Sequence, residues 1–261
     1  MKLLVMAGTE DGRKLAEALK SQGHDVLVST LTAYGADLVS EQGLSARSGA
    51  MNAELLTDLL KSGSYAALVD ATHPYAVRVK ELAQRVCAEL KVPYLRWQRS
   101  PLELKAHPLI HWVENISAAA QAAANLGNRI LLTTGSNSLP DWTSQPCLNN
   151  KILFIRVLPT SQVLTRCEAL GFRPNQIIAA QGPFSEEWDA AMFKQLNIEV
   201  VVAKESGQVG GTGEKVQACL SLNIPLVILK RPPTEISNSR LIQTISSSSI
   251  PEFIKQMEEL L

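Results

Sequence analysis

The chain has 261 residues, of which 46% are hydrophobic and 19% are charged, so it can bury a core and lacks the composition of a disordered protein. Basic and acidic side chains number 25 each, and this zero net charge gives no global attraction for nucleic acid or for an anionic membrane. No apolar run approaches the roughly 20 residues of a membrane span, so neither nucleic acid nor membrane is expected as a partner.

Short apolar, β-branched runs alternate with helical patterns along the chain. In the first half, the predicted strands are residues 2–7, 25–31, 66–71 and 93–97. The predicted helices there are residues 13–21, 53–61 and 76–90. In the second half, the predicted strands are residues 129–134, 152–157, 176–180, 199–203 and 225–229. The predicted helices there are residues 118–126, 161–170, 186–196 and 214–222. Strands that are apolar on both faces and alternate with helices indicate an α/β protein with parallel sheets covered on both sides.

Residues 98–113 interrupt this alternation with two prolines, several charged side chains and two histidines. We interpret them as the passage between two α/β domains, residues 1–100 and residues 101–261, with the active site in the cleft between them. The tail contains another apolar run, LIQTI, and a closing amphipathic helix. The sequence does not determine which sheet the tail joins, and its strand and helix could return to the first one.

The first loop of interest is GTEDGR, which follows the first strand, where a parallel sheet binds its ligands. Gly8 and Gly12 give only G-x-x-x-G, a poor match to the dinucleotide fingerprint. Thr9 and Asp11 could instead cap a helix, so a phosphate site and a simple turn remain equally open. The second strand ends without the acidic residue that binds a ribose 2′-hydroxyl, which favours NADPH over NADH if the adenosine half lies there.

Two further loops follow the third and fourth strands. In DATHPYA, Thr72 could cap the next helix and His73 could donate a proton, although a lone histidine is more often structural. In RWQRSP, Arg96 and Arg99 flank Trp97, and two guanidiniums could hold carboxylates beside a flat ring. A solvated surface turn is the alternative for this second loop.

In the second half, RILLTT leads into GSNSL, whose glycine and hydroxyl groups suit an anion-binding nest. The most distinctive stretch is VVVAKESGQVGGTGEK, in which a buried strand ends at Lys204 and Lys215 lies in the first turn of a helix. Its glycines allow a backbone to approach a ligand closely, and the helix start favours an anion. The spacing is wrong for a Walker loop, and a flexible hinge is the alternative.

The sequence shows no catalytic or metal-binding constellation of a familiar kind. There is no Ser-His-Asp or Cys-His pattern and no pair of glycosidase carboxylates. The four cysteines are far apart and form no CxxC pair, so we expect reduced thiols, a cytoplasmic protein and no metal site. These features favour the binding of a large anionic ligand and a nucleotide, with the chemistry supplied by a cofactor.

These loops, in this order, resemble the precorrin-6A reductase family of cobalamin biosynthesis. The matching stretches, from residue 8 to residue 232, are GTEDGR, SARSG, DATHPYA, RWQRSP, TTGS, QGPF, KESGQVGGTGEK and KRP. The resemblance implies two Rossmann-like domains and an NAD(P)H-dependent oxidoreductase that reduces the C18–C19 double bond of a corrin-precursor tetrapyrrole. The implied substrate is precorrin-6A or its cobalt-bearing form, and the implied cofactor is NADPH, with NADH as the alternative.

The resemblance also implies roles for individual residues. His73 would be catalytic, as the donor of the proton that accompanies the hydride, although solvent could serve. The cofactor would be bound by Gly8, Thr9, Gly12, Arg13, Thr134, Gly135, Ser136, Lys204, Ser206, Gly207, Gly210, Gly211, Thr212 and Lys215. The rim carboxylates of the substrate would be bound by Arg47, Thr72, Tyr75, Arg96, Arg99 and Arg231.

Two other interpretations remain open at this point. One is a different NAD(P)-dependent oxidoreductase, although the Tyr-x-x-x-Lys pair of short-chain dehydrogenases is absent: each tyrosine is followed four residues later by Leu38, Val69, Val79 or Gln98. The other is a non-catalytic two-domain binding protein, which would usually be exported, whereas no signal peptide is recognisable. In either case we expect a monomer or a small homo-oligomer.

Overall fold

The structure is a computed structural model that describes residues 1–99, 104–205, 212–232 and 241–261. The chain separates into two compact units, one formed by Met1–Ser100 with Pro233–Leu261 and the other by Pro101–Pro232. Within the described residues each unit contains a six-stranded sheet whose paired strands all run parallel. The predicted α/β class with two parallel-sheet domains is therefore confirmed.

The strands and helices are numbered in chain order. The strands are β1 (Lys2–Ala7), β2 (Asp25–Thr30), β3 (Ser45–Ser48), β4 (Ala67–Ala71), β5 (Tyr94–Arg99), β6 (Ile110–Val113), β7 (Arg129–Leu132), β8 (Ile152–Val157), β9 (Ile177–Ala179), β10 (Val200–Lys204), β11 (Leu226–Leu229) and β12 (Ile242–Ser247). The helices are α1 (Glu10–Ser21), α2 (Ala33–Glu41), α3 (Ala53–Gly63), α4 (Val77–Leu90), α5 (Ile116–Leu126), α6 (Leu139–Thr143), α7 (Ser161–Ala169), α8 (Glu186–Gln195), α9 (Thr212–Ser221) and α10 (Ile250–Leu260).

The two sheets share one strand order. The first sheet runs β3-β2-β1-β4-β5-β12 and the second runs β9-β8-β7-β10-β11-β6. In each sheet the direction of strand succession reverses at the centre, between β1 and β4 in the first and between β7 and β10 in the second. Such a reversal opens a crevice beyond the carboxyl ends of the central strands, where doubly wound folds bind their ligands.

The sixth strand of each sheet comes from a remote part of the chain. β6, the first strand of the second domain, lies beside β11 at the edge of its sheet, and β12 pairs with β5 at the edge of the first sheet. The second unit therefore ends at Pro232, and the closing strand and helix return to the first sheet, the alternative that the sequence left open for residues 101–261. The physical reason is that β12 covers the open edge of β5, while α10 buries Phe253, Ile254 and Met257 in the first domain's core.

Both faces of each sheet are covered by apolar packing, as the apolar strands predicted. In β1, Leu3 and Val5 face a core shared with α1 and α10, whereas Leu4 and Met6 face a core shared with α3 and α4. The second sheet is likewise sandwiched between two apolar clusters. At about 25 cal/mol per Å² of apolar area removed from water, this two-sided burial is the main stabilising contribution to each domain.

Four elements escaped the sequence prediction, namely β6, α2, β3 and the short helix α6. Residues 98–113 are only partly a passage, because β5 continues to Arg99 and β6 occupies Ile110–Val113. β5 is longer than predicted because β12 pairs along it as far as Ser247 opposite Arg99. The short pair α2 and β3 was missed since its strand is only half-buried and mixed in polarity, which weakens the periodic signal.

Candidate active site

The centre of the first sheet brings two of the predicted loops side by side. β1 and β4 are paired so that Ala7 lies opposite Ala71, and GTEDGR and DATHPYA leave the sheet from these two positions. The sequence placed each loop after a strand but did not show that the strands were neighbours. Their adjacency places both loops at the crevice where the strand order reverses.

The GTEDGR turn packs its helix tightly onto the sheet. Thr9 is the N-cap of α1, and its hydroxyl accepts a hydrogen bond from the Gly12 N–H at 3.2 Å. A Cβ at Gly12 would lie 3.0 Å from the Cβ of Ala7 and 3.2 Å from the carbonyl oxygen of Ala71. This close helix–strand contact is the role of the third glycine in a dinucleotide fingerprint, although the sequence spacing matches that fingerprint poorly.

The acidic pair of this turn is neutralised by two basic side chains. Glu10 is exposed and its carboxylate lies 2.8 Å from the Lys14 ammonium. Asp11 is buried, and its Oδ2 lies 2.8 Å from Nε of Arg99, whose Nη2 also donates to the Thr9 hydroxyl at 2.9 Å. The cap is thus Thr9 alone, and the predicted capping role of Asp11 was wrong. Arg99 is a structural partner of the turn rather than a residue of a solvated loop.

A buried network underlies the DATHPYA loop. Asp70 is fully buried; one of its oxygens accepts hydrogen bonds from the Tyr94 hydroxyl and from Nη1 of Arg96, both at 2.5 Å. The other oxygen accepts from the Thr72 N–H at 2.8 Å, which fixes the start of the loop. Burial, followed by the charge of Asp70, raises the pKa of Tyr94 far above its ordinary value, so its hydroxyl remains a donor.

Sequence reasoning missed Asp70 and Tyr94, although a signal was present. A carboxylate inside an apolar strand must find charge-assisted partners, because an isolated buried charge is strongly unfavourable. The expectation that Thr72 caps the following helix was wrong, because α4 begins after Ala76 without a side-chain cap. Arg96 is also not in a solvated turn, since it is 4% exposed and paired with Asp70.

His73 lies in the half-buried loop between β4 and α4. Its Nδ1 accepts a hydrogen bond from the Tyr75 N–H at 3.3 Å, and the two rings have centroids 5.5 Å apart. An accepting Nδ1 means that the neutral imidazole carries its proton on Nε2. The backbone of the loop therefore selects one tautomer of the residue that the sequence singled out as a proton donor.

Arg13 and Arg47 are two further predicted site residues of the first domain. Arg13 follows the turn in α1 and is half-buried. Arg47 lies on β3, and its Nη1 donates to the Ser29 hydroxyl at the end of β2 at 2.9 Å. The first-domain residues thus spread over the carboxyl ends of β1, β2, β3, β4 and β5.

The centre of the second sheet carries a second group of predicted residues. Thr133, Thr134, Gly135 and Ser136 follow β7, and Lys204 ends the neighbouring strand β10. Gly135 has a φ of 79°, a left-handed conformation that favours glycine, and Thr134 is buried with its hydroxyl accepting from Ser138 at 3.4 Å. Burial lowers the pKa of Lys204, because a less solvated ammonium loses its proton more easily.

Lys215 is a buried cation beside an ion pair. It is 6% exposed, and within the described residues its ammonium makes no ion pair. Burial, and then the positive charge of Arg156, lowers its pKa to about 8. Arg156 pairs with Asp189 and lies 4.2 Å from the ring centre of Phe184. Sequence reasoning missed Arg156 and Asp189, although an arginine inside the apolar strand ILFIRV was a visible signal.

The remaining predicted residues of the second domain divide into two groups. Arg231 has its Nε 3.4 Å from Oε1 of the buried Glu205, so its charge is balanced inside the domain. Thr212 is fully buried at the start of α9. The predicted cofactor residues Ser206, Gly207, Gly210 and Gly211 lie outside the described residues.

Two features are absent from the described part of the chain. It contains no group of three or more His, Cys, Asp or Glu side chains arranged to hold a metal ion. It also contains no helix long and apolar enough to cross a membrane.

Comparison with known proteins gives a consistent result. The family model described as precorrin-6x reductase CbiJ/CobK matches residues 2–257. The cobalt-precorrin-6A reductase of Salmonella typhimurium is 35% identical over 93% of this chain and 92% of its own, and that of Priestia megaterium is 34% identical over 89% and 91%. The precorrin-6A reductase of Rhodobacter capsulatus is 29% identical over 88% of each chain.

A solved structure shares the fold. The structure described as CobK precorrin-6A reductase is 23% identical and has a TM-score of 0.79, covering 100% of this chain and 97% of its own. The likeness extends through both domains, as does the match to the family model. The chain therefore belongs to the precorrin-6x reductase CbiJ/CobK family.

Proposed function

We propose that the protein is a precorrin-6A-type reductase that transfers a hydride from NADPH to a corrin-precursor tetrapyrrole and saturates its C18–C19 double bond. The observation that carries this proposal is the pairing of β1 with β4, which sets the glycine turn beside the loop of His73. A nucleotide-type turn and a proton donor at one crevice suit a cofactor-dependent reduction. The proposal is further supported by relatives that are named reductases of precorrin-6A or cobalt-precorrin-6A.

In each domain, residues at the carboxyl ends of the central strands fit parts of a nicotinamide dinucleotide. Gly12 allows close packing of the turn. A Cβ at Gly8 would meet no described atom within 4 Å, so the described part of the chain leaves the backbone there open to a ligand. In the second domain, the buried ammonium of Lys215, which makes no ion pair with the described residues, suits an anionic group. When bound, NADPH supplies the hydride and is oxidised to NADP⁺. The proposed cofactor contacts are Gly8, Thr9, Gly12, Arg13, Thr134, Gly135, Ser136, Lys204, Thr212 and Lys215.

The substrate contacts are proposed from residues that bear cations and hydrogen-bond donors. Arg96, Arg231, Thr72 and Tyr75 are candidates to bind the acetate and propionate groups on the macrocycle rim. Arg96 keeps a buried Nε without a hydrogen-bond partner among the described residues, which leaves donor capacity beyond its pair with Asp70. Arg99 instead acts indirectly, because it neutralises Asp11 and anchors Thr9.

His73 is proposed to deliver the proton. The hydride adds to one carbon of the double bond, and the neighbouring carbon must receive a proton for the charge to balance. Nε2 of His73 holds the proton of the neutral ring, because Nδ1 accepts from the Tyr75 backbone. Because donation from the neutral ring would leave an imidazolate, the acid is the imidazolium form of His73, which gives up one proton and returns to the neutral ring.

Between the two substrate forms we favour the cobalt-bearing one. Relatives named cobalt-precorrin-6A reductases are 28–35% identical and include all those at 32% or more, whereas two relatives named precorrin-6A reductases are 28–29% identical. Cobalt here belongs to the substrate and not to the protein. We further propose a cytoplasmic monomer or small homo-oligomer, consistent with four free cysteines.

The test is a direct assay of cofactor oxidation. Purified protein is mixed with NADPH or NADH and with precorrin-6A or cobalt-precorrin-6A, and the absorbance of cofactor and macrocycle is followed. We expect NADPH oxidation coupled one-to-one to reduction of the macrocycle, faster with the cobalt form. A folded sample that oxidises neither cofactor with either macrocycle would refute the proposed function.

A further inference from the structure

Lys80 is a buried cation in the first turns of α4, the helix that follows the His73 loop. It is 8% exposed, and its ammonium makes neither an ion pair nor a hydrogen bond with the described residues. The ammonium nitrogen is not among the polar atoms that are both fully enclosed and without a hydrogen-bond partner, so it remains accessible from outside. Burial of an unpaired charge opposes folding, and an anionic ligand would remove that cost.

Lys80 continues the side of α4 that packs on the first sheet. Ala83 and Cys87 belong to the apolar cluster on this face of the sheet, and Lys80 lies one turn closer to the start of the helix. Asp70 and Arg96 point to the same face, because the strand residues on either side of each belong to the opposite cluster. Since α4 follows the carboxyl end of β4, the lysine lies on the part of the helix nearest the crevice.

Asp70 is not the missing partner of this lysine. One of its oxygens accepts hydrogen bonds from Tyr94 and Arg96, and the other accepts from the Thr72 N–H, so the carboxylate is already neutralised and hydrogen-bonded. Among the described residues, this face therefore carries two buried cations, Arg96 and Lys80, and one buried carboxylate. The excess positive charge favours an anionic ligand.

The start of α4 adds hydrogen-bond donors at the same position. Its cap residue, Ala76, provides no side-chain hydrogen bond, and the first turn contains no acidic residue. The N–H groups of residues 77–79 make no hydrogen bond to the described part of the chain. A helical side chain leans toward the N-terminus, so Lys80 extends over this first turn. The ammonium, the free N–H groups and the positive end of the helix dipole can therefore bind one anion together.

The place of α4 in the fold indicates which anion this is. In a sheet of this strand order, the turn after β1 and the N-terminus of α1 hold the pyrophosphate of a dinucleotide. α4 instead follows β4, on the other side of the crevice and directly after the loop of His73. An anion beside the proposed proton donor is therefore expected to belong to the molecule that receives the proton.

We propose that Lys80 and the N-terminus of α4 bind one carboxylate of the corrin-precursor macrocycle, an acetate or propionate group on the part of the rim that reaches His73. The inference rests on the proposed reductase function and adds a substrate subsite in the first domain. The ammonium donates a charge-assisted hydrogen bond to the carboxylate, and the free N–H groups of the first turn donate to its other oxygen. This contact holds the reacting edge of the macrocycle beside the His73 loop.

The test measures the binding of the macrocycle and of the cofactor separately. Dissociation constants of cobalt-precorrin-6A and of NADPH are determined by calorimetry for the wild type, Lys80→Met and Lys80→Arg, and steady-state assays add KM and kcat. Arg85→Met is the matched control, because Arg85 is exposed on the same helix. Thermal melting of each protein without ligand shows whether the substitution disturbs the fold.

Lys80→Met should weaken binding of the macrocycle about ten-fold or more, the effect of one charge-assisted contact, and should raise KM to match. The dissociation constant of NADPH and kcat should change little. Lys80→Arg should retain most of the affinity, and Arg85→Met all of it. Without ligand, Lys80→Met should melt no lower than the wild type, because it removes an unpaired buried charge.

Unchanged affinity for the macrocycle in Lys80→Met would overturn this inference. A melting temperature below that of the wild type would also overturn it, because the lysine would then be a structural residue. Weaker binding of NADPH alone would assign the anion to a cofactor phosphate, again against the inference. In these three cases the wild type still reduces the macrocycle and the reductase proposal stands, whereas a wild type that does not bind the macrocycle would remove both.

Discussion

Arg99, at the end of β5, reaches the first turn of α1, where its Nε lies 2.8 Å from Oδ2 of Asp11. The same guanidinium donates to the hydroxyl of the cap residue Thr9 at 2.9 Å. A turn that carries two acidic residues can therefore face an anionic cofactor, because the buried one is neutralised from the neighbouring strand. The pair explains how the proposed ligand-binding role of GTEDGR is compatible with its structure as a tight turn.

Loss of Arg99 should destabilise the first domain. Arg99→Ala leaves Asp11 buried without its partner, and we expect the free energy of unfolding to fall by about 3 kcal/mol. The double variant Asp11→Asn with Arg99→Ala also removes the unpaired charge of Asp11, and it should recover part of the lost free energy of unfolding. Urea unfolding followed by circular dichroism measures both, and a double variant no more stable than Arg99→Ala would argue against an electrostatic cause.

The two glycines of the opening turn should tolerate alanine very differently. At Gly12 an added methyl would press on Ala7 and Ala71, and we expect a loss of about 1–3 kcal/mol in stability from overpacking. At Gly8 a Cβ would meet nothing within 4 Å, so Gly8→Ala should fold normally and serves as the matched control. Thermal melting of the two variants gives the comparison. Equal melting temperatures would show that α1 is not tightly packed at Gly12.

Replacement of His73 should affect turnover more than binding. If Nε2 of His73 supplies the proton, His73→Ala should lower kcat about 100-fold while the dissociation constants of cofactor and macrocycle change little. His73→Gln tests whether a hydrogen bond alone suffices. Steady-state rates with either macrocycle form provide the measurement, and an unchanged kcat in His73→Ala would assign the proton to solvent and leave His73 a structural residue of its loop.

Lys215 should make stability rise with pH in the alkaline range. Its folded pKa is lowered to about 8, mainly by burial, from the ordinary lysine value of 10.5. Below pH 8 the lysine is charged in both states and its burial opposes folding. Between about pH 8 and pH 10.5 the unfolded chain binds more protons, so stability increases with pH, by at most roughly 1.4 kcal/mol per pH unit.

The comparison variant for this effect is Lys215→Met, which keeps the bulk of the side chain and removes the titrating group. The difference in unfolding free energy between the two proteins, measured in urea from pH 7 to above pH 10, should shrink as pH rises through this window. A bound anion such as NADPH should reduce the dependence if it lies beside Lys215, because an opposite charge raises the lysine pKa. A pH-independent difference would show that Lys215 does not titrate in this range.

The sequence predicted the architecture well where a strand is buried on both faces. β1, β8 and β10 are short apolar runs, a pattern typical of buried parallel strands. Their predicted bounds agree with the structure to within one residue. It failed at β6 and β3, which are half-buried and mixed in polarity. Such strands owe their conformation to pairing with a neighbour, a contact that local periodicity does not encode.

The sequence by itself determined the class of fold, the loops that could bind ligands and, through their order, the family. The tertiary structure decided which charges those loops can offer. Arg96, Arg99 and Arg231 carry the same charge in the sequence as Arg47, yet pairing with buried carboxylates balances the first three. Partners such as Asp70 and Arg96 lie 26 residues apart and meet only because β4 pairs with β5. Electrostatic function depends on distances of a few ångströms, which strand order sets and residue order does not.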